Sequence, residues 1–304
     1  NANPWILNPK GVIYLVHSSN QLGSRIPRTW RSAGWATRNV ANLPIGDEML
    51  TVIACWRPYE GANIYRLESC ESTNDEIFDR NQEKQGTLVV SSKQKSGRGY
   101  RNRKWVSSPK NFMGSWRVSK KSIEDSPEML QYAASLSVLD TISAFTNHGL
   151  PSHSWTHCSK LESIGVRVKW PNDIWIRTES MIGKLCGILV QARTEGSETC
   201  VALGIGLNRF RLDNLEQSIG WSELFDSDVE DLIPVLHASV ASTLECHSLV
   251  KELPPQHILS SVFAGMRMTF CEGAPNSFGI DDKGGLFGIN QITTMSENWH
   301  WNWD

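Results

Sequence analysis

Between residues 165 and 204 the chain offers four strand candidates in close succession, 165–169, 174–177, 185–192 and 200–204, and this run constrains the fold more than any other feature. Pro171 fixes the turn between the first two. A helix precedes the run: it opens at Ser126-Pro127, carries Leu130, Ala134, Val138 and Ile142 on an apolar face, and stops near Gly149. A second long helix is predicted over 228–244. Further strands are predicted at 63–67, 87–91 and 112–118. Between the first two of these, Ser72-Thr73-Asn74-Asp75-Glu76 reads as an N-cap followed by acids in a first helical turn. The fold class implied is α/β (α+β), a mixed β-sheet with flanking helices.

The ends of the chain have a different texture. Residues 1–60 mix strand-like runs at 11–17 and 49–56 with polar stretches and no clear apolar helical period, so a DNA-binding winged helix is not expected. They are read as an N-terminal extension of unknown role, ahead of a catalytic region at 61–250. From about Phe263 short strands alternate with Gly, and the chain ends in Trp299-His300-Trp301-Asn302-Trp303, where a period of two puts the tryptophans on one face. Residues 263–304 are therefore expected to form a small C-terminal β domain, an SH3-like barrel.

Composition narrows the setting. Thirty Lys and Arg against 32 Asp and Glu give a net charge of −2 over 304 residues, so no global field draws the chain to nucleic acid or anionic lipid. Seven scattered cysteines without a Cys-x-x-Cys fit reduced thiols in a cytoplasmic setting. The apolar run at 12–16 is too short for a signal-peptide core or a membrane span. A soluble cytoplasmic protein is expected; because the sequence begins at Asn1, a removed leader stays open.

Three strings carry the chemistry. The first is the basic glycine loop Gly97-Arg98-Gly99-Tyr100-Arg101-Asn102-Arg103-Lys104-Trp105. Its glycines let backbone N–H groups approach a ligand, and its four cations could offset a polyphosphate. A solvated turn or a nucleic-acid patch would read the same way. Trp105 could stack on a flat ring or anchor the loop. In the second string, Lys169-Trp170-Pro171-Asn172-Asp173, the turn brings Asn172 and Asp173 to one rim; Asn-Asp after Pro is also an ordinary hairpin. In the third, Gly183-Lys184-Leu185-Cys186-Gly187-Ile188-Leu189, Lys184 is a point charge able to bring a carboxylate and a phosphate together, or a solvated hairpin lysine. Joined, the strings point to activation of a carboxylic acid by ATP. Gly204-Ile205-Gly206-Leu207-Asn208 lacks the third glycine of a dinucleotide fingerprint. His153, His157 and Cys158 have a metal-like spacing but no fourth ligand nearby. No Gly-x-Ser-x-Gly is present to anchor a hydrolase.

The combination resembles the biotin protein ligases. Ser72-Thr73-Asn74, Gln94 with Gly97-Arg98-Gly99 and Arg103-Lys104-Trp105, Asn111-Phe112-Met113-Gly114-Ser115, Lys169 to Asp173, Lys184 to Leu189 and Gly204 to Asn208 stand in that family's order at similar spacing. The resemblance covers roughly residues 63–244, with a weaker match around Gly279-Ile280-Asp281-Asp282-Lys283-Gly284-Gly285-Leu286. It implies a class II synthetase-like biotin/lipoate ligase fold, with ATP, Mg²⁺ and biotin as substrates and cofactors. The implied reactions are formation of biotinyl-AMP and transfer of biotin to a lysine of a carboxyl-carrier domain.

By the same resemblance, Lys184, Arg98, Asp173 and Lys169 are the catalytic set. Ser72, Thr73, Asn74, Gln94, Gly97, Arg98, Gly99 and Gly187 hold biotin. Arg101, Arg103, Lys104, Trp105, Asn172, Lys184 and Asn208 hold ATP and the adenylate. No side-chain cluster for a metal is implied, and Mg²⁺ would lie near Asp173. The carrier is the expected partner, with no nucleic acid or membrane, and a homodimer is allowed.

Two departures from the family pattern stand in the loop: Tyr100 where another Arg is usual, and Asn102 in place of a Gly. Cys186 is larger than the usual residue and is expected to narrow the pocket edge. The rival readings are a lipoate- or octanoate-protein ligase of the same fold, and a biotin-sensing regulator that binds DNA.

Overall fold

The computed structural model describes residues 7–18, 26–100, 103–106, 108, 111–119, 127–145, 166–177, 182–212, 218–225 and 227–259, and as backbone 270–272, 278–280, 286–288, 291–294 and 300–302. At the N-terminal end, β1 (Val12–Ser18), α1 (Ile26–Ser32), β2 (Ala36–Ile45) and β3 (Glu48–Trp56) build an antiparallel sheet in the order β1-β3-β2 with one short helix. Strands 1 and 3 lie where alternation places them. Helix α1 and strand β2 escape a sequence reading. Helix α1, IPRTWRS, has too few apolar positions to show a period, and β2 carries Arg38 and a bulge between Asn39 and Ala41 that break the alternation.

What holds these two elements is tertiary. Arg31 Nη1 pairs with Asp140 at 3.1 Å, and Ser32 Oγ donates to the Ala144 carbonyl at 3.0 Å. The buried Arg38 guanidinium donates to the carbonyls of Ser242 (2.8 Å), Glu245 (3.1 Å) and Lys251 (2.8 Å), and lies 5.2 Å over the Trp56 ring. These are the carbonyls at and beyond the end of a helix, where no intrahelical N–H reaches and where the dipole favours a cation. Burial pulls Arg38 down to about 10 despite the opposing pull of Tyr59 and Glu245.

The central sheet follows: β4 (Ile64–Leu67), β5 (Leu88–Ser91), β6 (Phe112–Val118), β7 (Val166–Lys169), β8 (Asp173–Arg177), β9 (Ile182–Glu195) and β10 (Glu198–Leu207), ordered β4-β5-β6-β10-β9-β8-β7. Only β4 and β5 run parallel, so the sheet is mixed as expected. Successive residues of a strand point to opposite faces, and the two faces carry different loads. Val201, Leu203, Ile205 and Leu207 of β10 join the large core with α3 (Pro127–Phe145) and α4 (Val229–Leu244), whereas Cys200 and Ala202 join a small one with Ile77 and Phe78 of α2 (Thr73–Asp79). Trp56, Ala36 and Ala54 lie in the large core, which therefore extends under the N-terminal sheet.

The C-terminal expectation is corrected. Among the described residues, β11 (Phe270–Glu272) pairs with β15 (His300–Asn302), and β12 (Phe278–Ile280), β13 (Leu286–Gly288) and β14 (Gln291–Thr294) form a separate three-stranded sheet; neither closes into a barrel. Strands of three or four residues offer too few paired positions for the staggered register that closure requires, and the order β12-β13-β14 leaves two open edges. Ser126, Gly149, His153, His157, Cys158, Trp299 and Trp303 lie outside the described residues. Among the described residues no helix is long and apolar enough to cross a membrane.

Candidate active site

On the α2 face, β10 runs Cys200, Ala202, Gly204, Gly206. The first two fill the space beneath α2, and the two glycines leave the sheet bare beyond the helix N-terminus. Gly187 of β9 pairs with Gly206 and widens the bare patch. A cleft of about 440 Å³ stands on this floor. The missing side chains admit two others: a Cβ on Gly204 would fall 2.6 Å from Asn74 Oδ1, and one on Gly206 would fall 2.5 Å from the Trp105 ring.

Lys184 reaches the cleft through an irregularity. Pairing between β8 and β9 steps from Ile174↔Cys186 to Trp175↔Lys184, so Leu185 is an extra residue and the strand changes parity. Lys184, Gly187 and Leu189 all line the cleft, while Leu185 and Cys186 are buried in the large core. Cys186 thus packs inside rather than at the cleft edge, and burial pushes its thiol well up. The Lys184 ammonium lies 2.6 Å from Asp173 Oδ1 and 5.4 Å from the Trp105 ring centre. Asn172 also lines the cleft, and its amide donates to the Ile188 carbonyl at 3.0 Å, bracing β9.

The opposite end is neutral and polar. Ser72 holds the N-cap position of α2 by backbone conformation, but its side chain makes no capping bond. Thr73 N–H donates to Gln94 Oε1 at 2.8 Å, and Asn74 Nδ2 donates to Gln191 Oε1 at 2.8 Å. Behind them the buried Ser115 Oγ stands 2.7 Å from Thr73 Oγ1 and 2.6 Å from Asn74 Oδ1.

The glycine-basic segment is a hairpin, with Trp105 N–H donating to Gly97 O at 2.9 Å and Gly99 N–H to Arg103 O at 2.7 Å. Gly97 permits this, since a Cβ there would lie 2.9 Å from the Trp105 carbonyl oxygen. Arg98 turns to Asp75 of α2, Nη2 to Oδ1 2.5 Å, and the same carboxylate lies 3.7 Å from Arg193. Tyr100 and Trp105 line the cleft.

Of the expected site residues, Ser72, Thr73, Asn74, Gln94, Arg98, Gly99, Trp105, Asn172, Lys184 and Gly187 meet at this one cleft. Asp173 joins through Lys184, and Gly97 through the hairpin. Lys169 lies with its ammonium 4.3 Å from the Trp175 ring centre. Arg103 and Lys104 are exposed on the hairpin. Asn208 is buried behind Lys184, donating to its carbonyl at 3.0 Å and lying 3.3 Å from the Asn111 amide. Arg101 and Asn102 lie outside the described residues.

Asp75, Ser115 and Gln191 were given no role by motif. A signal for two of them existed in alternation, which puts Ser115 opposite Gly204 and Gln191 two residues after Leu189 on the cleft side. Among the described residues no group of three or more His, Cys, Asp or Glu is arranged to hold a metal ion.

The family model described as "Biotin/lipoate A/B protein ligase family" matches residues 64–208. The Bifunctional ligase/repressor BirA of Escherichia coli is 29% identical over 196 residues, covering 62% of this chain and 54% of that protein. The protein of the same name from Bacillus subtilis is 32% identical over 143 residues, 47% of this chain and 38% of that one. The chain thus spans about half the length of the curated relatives it matches. Among solved structures, the biotin protein ligase of Aquifex aeolicus in complex with biotin and ATP superposes with a TM-score of 0.53 at 20% identity, covering 79% of this chain and 98% of that one. The biotin acetyl coenzyme A carboxylase synthetase of Helicobacter pylori with bound biotinylated ATP gives 0.51 at 17% identity, covering 77% and 100%. At these identities the likeness is one of fold.

Proposed function

We propose that the chain is a biotin protein ligase of the biotin/lipoate A/B protein ligase family, whose model matches residues 64–208. In the first half-reaction a biotin carboxylate oxygen attacks the α-phosphorus of ATP, forming biotinyl-AMP and releasing pyrophosphate. In the second, a neutral carrier lysine amine attacks the acyl carbon, an amide forms, AMP leaves and the amine's proton is lost.

One observation carries this reading: a single cleft has neutral hydrogen-bonding groups at one end, a bare glycine floor, and Lys184 at the other. That polarity suits an acid with a neutral polar head, an apolar middle and an anionic end. Ser72, Thr73, Asn74 and Gln94 would meet the ureido ring. Lys184 would offset charge on both the carboxylate and the α-phosphate, and Asp173 would hold it there. Arg101, Arg103 and Lys104 would hold the polyphosphate, with Trp105 bounding the adenine, and Arg98, paired with Asp75, would anchor the segment that carries them. The solved relatives bearing biotin with ATP, or biotinylated ATP, support the choice of ligands. Mg²⁺ would arrive with the ATP phosphates; Asp173 fits as a single carboxylate near them rather than as part of a protein cage. The metal would neutralise phosphate charge.

The carrier would be a domain of a biotin-dependent carboxylase, met in a reducing compartment such as the cytoplasm. Unpaired Cys55, Cys70, Cys186 and Cys200 support that setting. A lipoate ligase would need little of the polar cluster formed by Ser72, Thr73, Asn74 and Gln94. Incubation with ATP, magnesium, biotin and a carboxylase carrier domain should add the biotinyl mass to one carrier lysine, and lipoate should neither replace biotin nor compete with it. Modification by lipoate at a comparable rate would move the chain to the rival reading.

A further inference from the structure

Resting on the ligase reading above, we propose that Ser115 is a positioning residue of the biotin end of the cleft, acting through Thr73 and Asn74 without touching the ligand. Ser115 sits on β6 opposite Gly204, fully buried, and does not line the cleft. Its hydroxyl oxygen is within hydrogen-bond distance of two acceptors, Thr73 Oγ1 at 2.7 Å and Asn74 Oδ1 at 2.6 Å, but it has one proton to give. The Asn74 amide is fixed in sense, because its Nδ2 donates at 2.8 Å to Gln191 Oε1, which the donor-only Arg98 guanidinium at 3.4 Å identifies as the oxygen. Asn74 Oδ1 therefore has no proton of its own, whereas the Thr73 hydroxyl has one. Thr73 Oγ1 also stands 3.3 Å from Gln94 Oε1, so its one proton has two acceptors; giving it to the nearer Ser115 lets Ser115 donate to Asn74 and satisfies both short contacts, leaving only the longest of the three unbridged.

This directed chain orients both side chains at the α2 N-terminus. Gln94 is fixed by the same logic: Thr73 N–H can only donate, so the nearer amide atom is the oxygen and the NH₂ group is the outward donor. Asn74 in turn lies across Gly204, where a Cβ would stand 2.6 Å from Oδ1, so it has no room to settle elsewhere against a larger neighbour. Removing the Ser115 hydroxyl leaves Asn74 Oδ1 without its donor in a buried site and turns the Thr73 proton to Gln94 Oε1, 3.3 Å away.

The test uses the full chain. Biotin is titrated calorimetrically into wild type, Ser115→Ala, Ser115→Cys and Ser115→Thr, and rates are measured with biotin and ATP varied separately. Ser115→Ala and Ser115→Cys are expected to raise the biotin Kd and KM about tenfold, the effect of stranding a buried acceptor, with kcat and the ATP KM within about twofold. Ser115→Thr, which keeps the hydroxyl, should recover most of the loss. Thermal melts without ligand separate this from a damaged fold, which would lower the Tm and weaken both substrates together. Wild-type biotin affinity in Ser115→Ala, or equal loss for biotin and ATP, overturns the proposal. Absence of biotin binding by wild type overturns the ligase reading itself, and the proposal with it.

Discussion

Arg98 is held by Asp75: Nη2 and Oδ1 are 2.5 Å apart, so the first cation of the glycine-basic hairpin is tied to the first turn of α2. Arg193 shares that carboxylate at 3.7 Å, and Gln191 lies 3.4 Å from the Arg98 guanidinium. Asp75→Asn removes the charge that restrains the hairpin while keeping the shape. Both partners are partly exposed, so the loss is modest: a fall of about 3–10-fold in kcat/KM for biotin activation is expected, checked by steady-state pyrophosphate exchange.

Tyr100 lines the cleft, at the position where the biotin protein ligases that the chain resembles usually carry Arg. On the proposed function the intermediate is biotinyl-AMP, a mixed anhydride that water or any free lysine can attack, and the hairpin would cover it until the carrier arrives. A charge-assisted bond to the adenylate is worth about 1.5–3 kcal/mol, and a phenol offers only a neutral donor or a ring face. Without carrier, biotinylation of bystander proteins should be detectable and should fall in Tyr100→Arg at matched adenylation rates. Equal release of biotinyl-AMP per turnover by the two proteins would exclude Tyr100 as a weak point.

Arg38 fastens the N-terminal sheet to the end of α4. Its donors reach three carbonyls that have no helical partner, and the Glu245 carboxylate completes the joint by accepting from Trp56 Nε1 at 2.8 Å and Tyr59 N–H at 2.9 Å. Arg38→Met should cost about 3 kcal/mol or more in urea unfolding, with Arg38→Lys recovering only part because an ammonium cannot fork across those carbonyls. Deleting residues 1–60 should give insoluble protein. A soluble, active truncation that binds biotin as wild type does would show the sheet to be an accessory.

His237 should give acid sensitivity. Burial holds it down from 6.5 to about 4, and Trp116 Nε1–H donates to its Nδ1 at 3.0 Å, a bond that requires the neutral ring. Between those values the unfolded chain binds a proton that the folded chain refuses. The contribution is therefore whole above pH 6.5 and lost as pH falls toward 4, amounting to about 3 kcal/mol. Urea midpoints at pH 7 and pH 5 should differ less in His237→Gln than in wild type; an unchanged difference would exclude His237 as the source.

DNA binding by residues 1–60 is not expected, because the chain carries a net charge of −2 and two of the segment's basic groups, Arg31 and Arg38, are engaged with Asp140 and with helix-end carbonyls. Salt-dependent binding of duplex DNA at micromolar protein, lost on deleting that segment, would contradict this.

Legibility in the sequence followed locality. The strand at Phe112–Val118, the helix opening at Pro127 and the turn at Pro171 rest on alternation, capping and proline geometry within a few residues, and each was readable. The motif strings Ser72 to Asn74, the hairpin and Lys184 to Leu189 brought the cleft's lining together because glycine and charge mark them. What was not legible depends on distant partners. Helix α1 exists through Asp140 and Ala144, and β2 hides its period behind Arg38, whose partners lie about two hundred residues away. The bulge that turns Lys184 and Gly187 to one face is a property of pairing, not of composition. The roles of Ser115, Asp75 and Gln191 exist only once α2, the hairpin and β6 are stacked. The barrel expected at the C-terminal end failed because alternation predicts strands but not their closure.

The most direct test of the central claim is biotin-dependent exchange of labelled pyrophosphate into ATP by wild type and Lys184→Ala. Lys184 stands at the charged end of the cleft, 2.6 Å from Asp173, where the proposed reaction would bring two anions together. Wild type should exchange only with biotin present, and the variant should be slower by about 10²-fold or more with an unchanged melting temperature, as expected when a preorganised charge is removed. Exchange at the wild-type rate in Lys184→Ala, or none in wild type on adding biotin, would contradict the account.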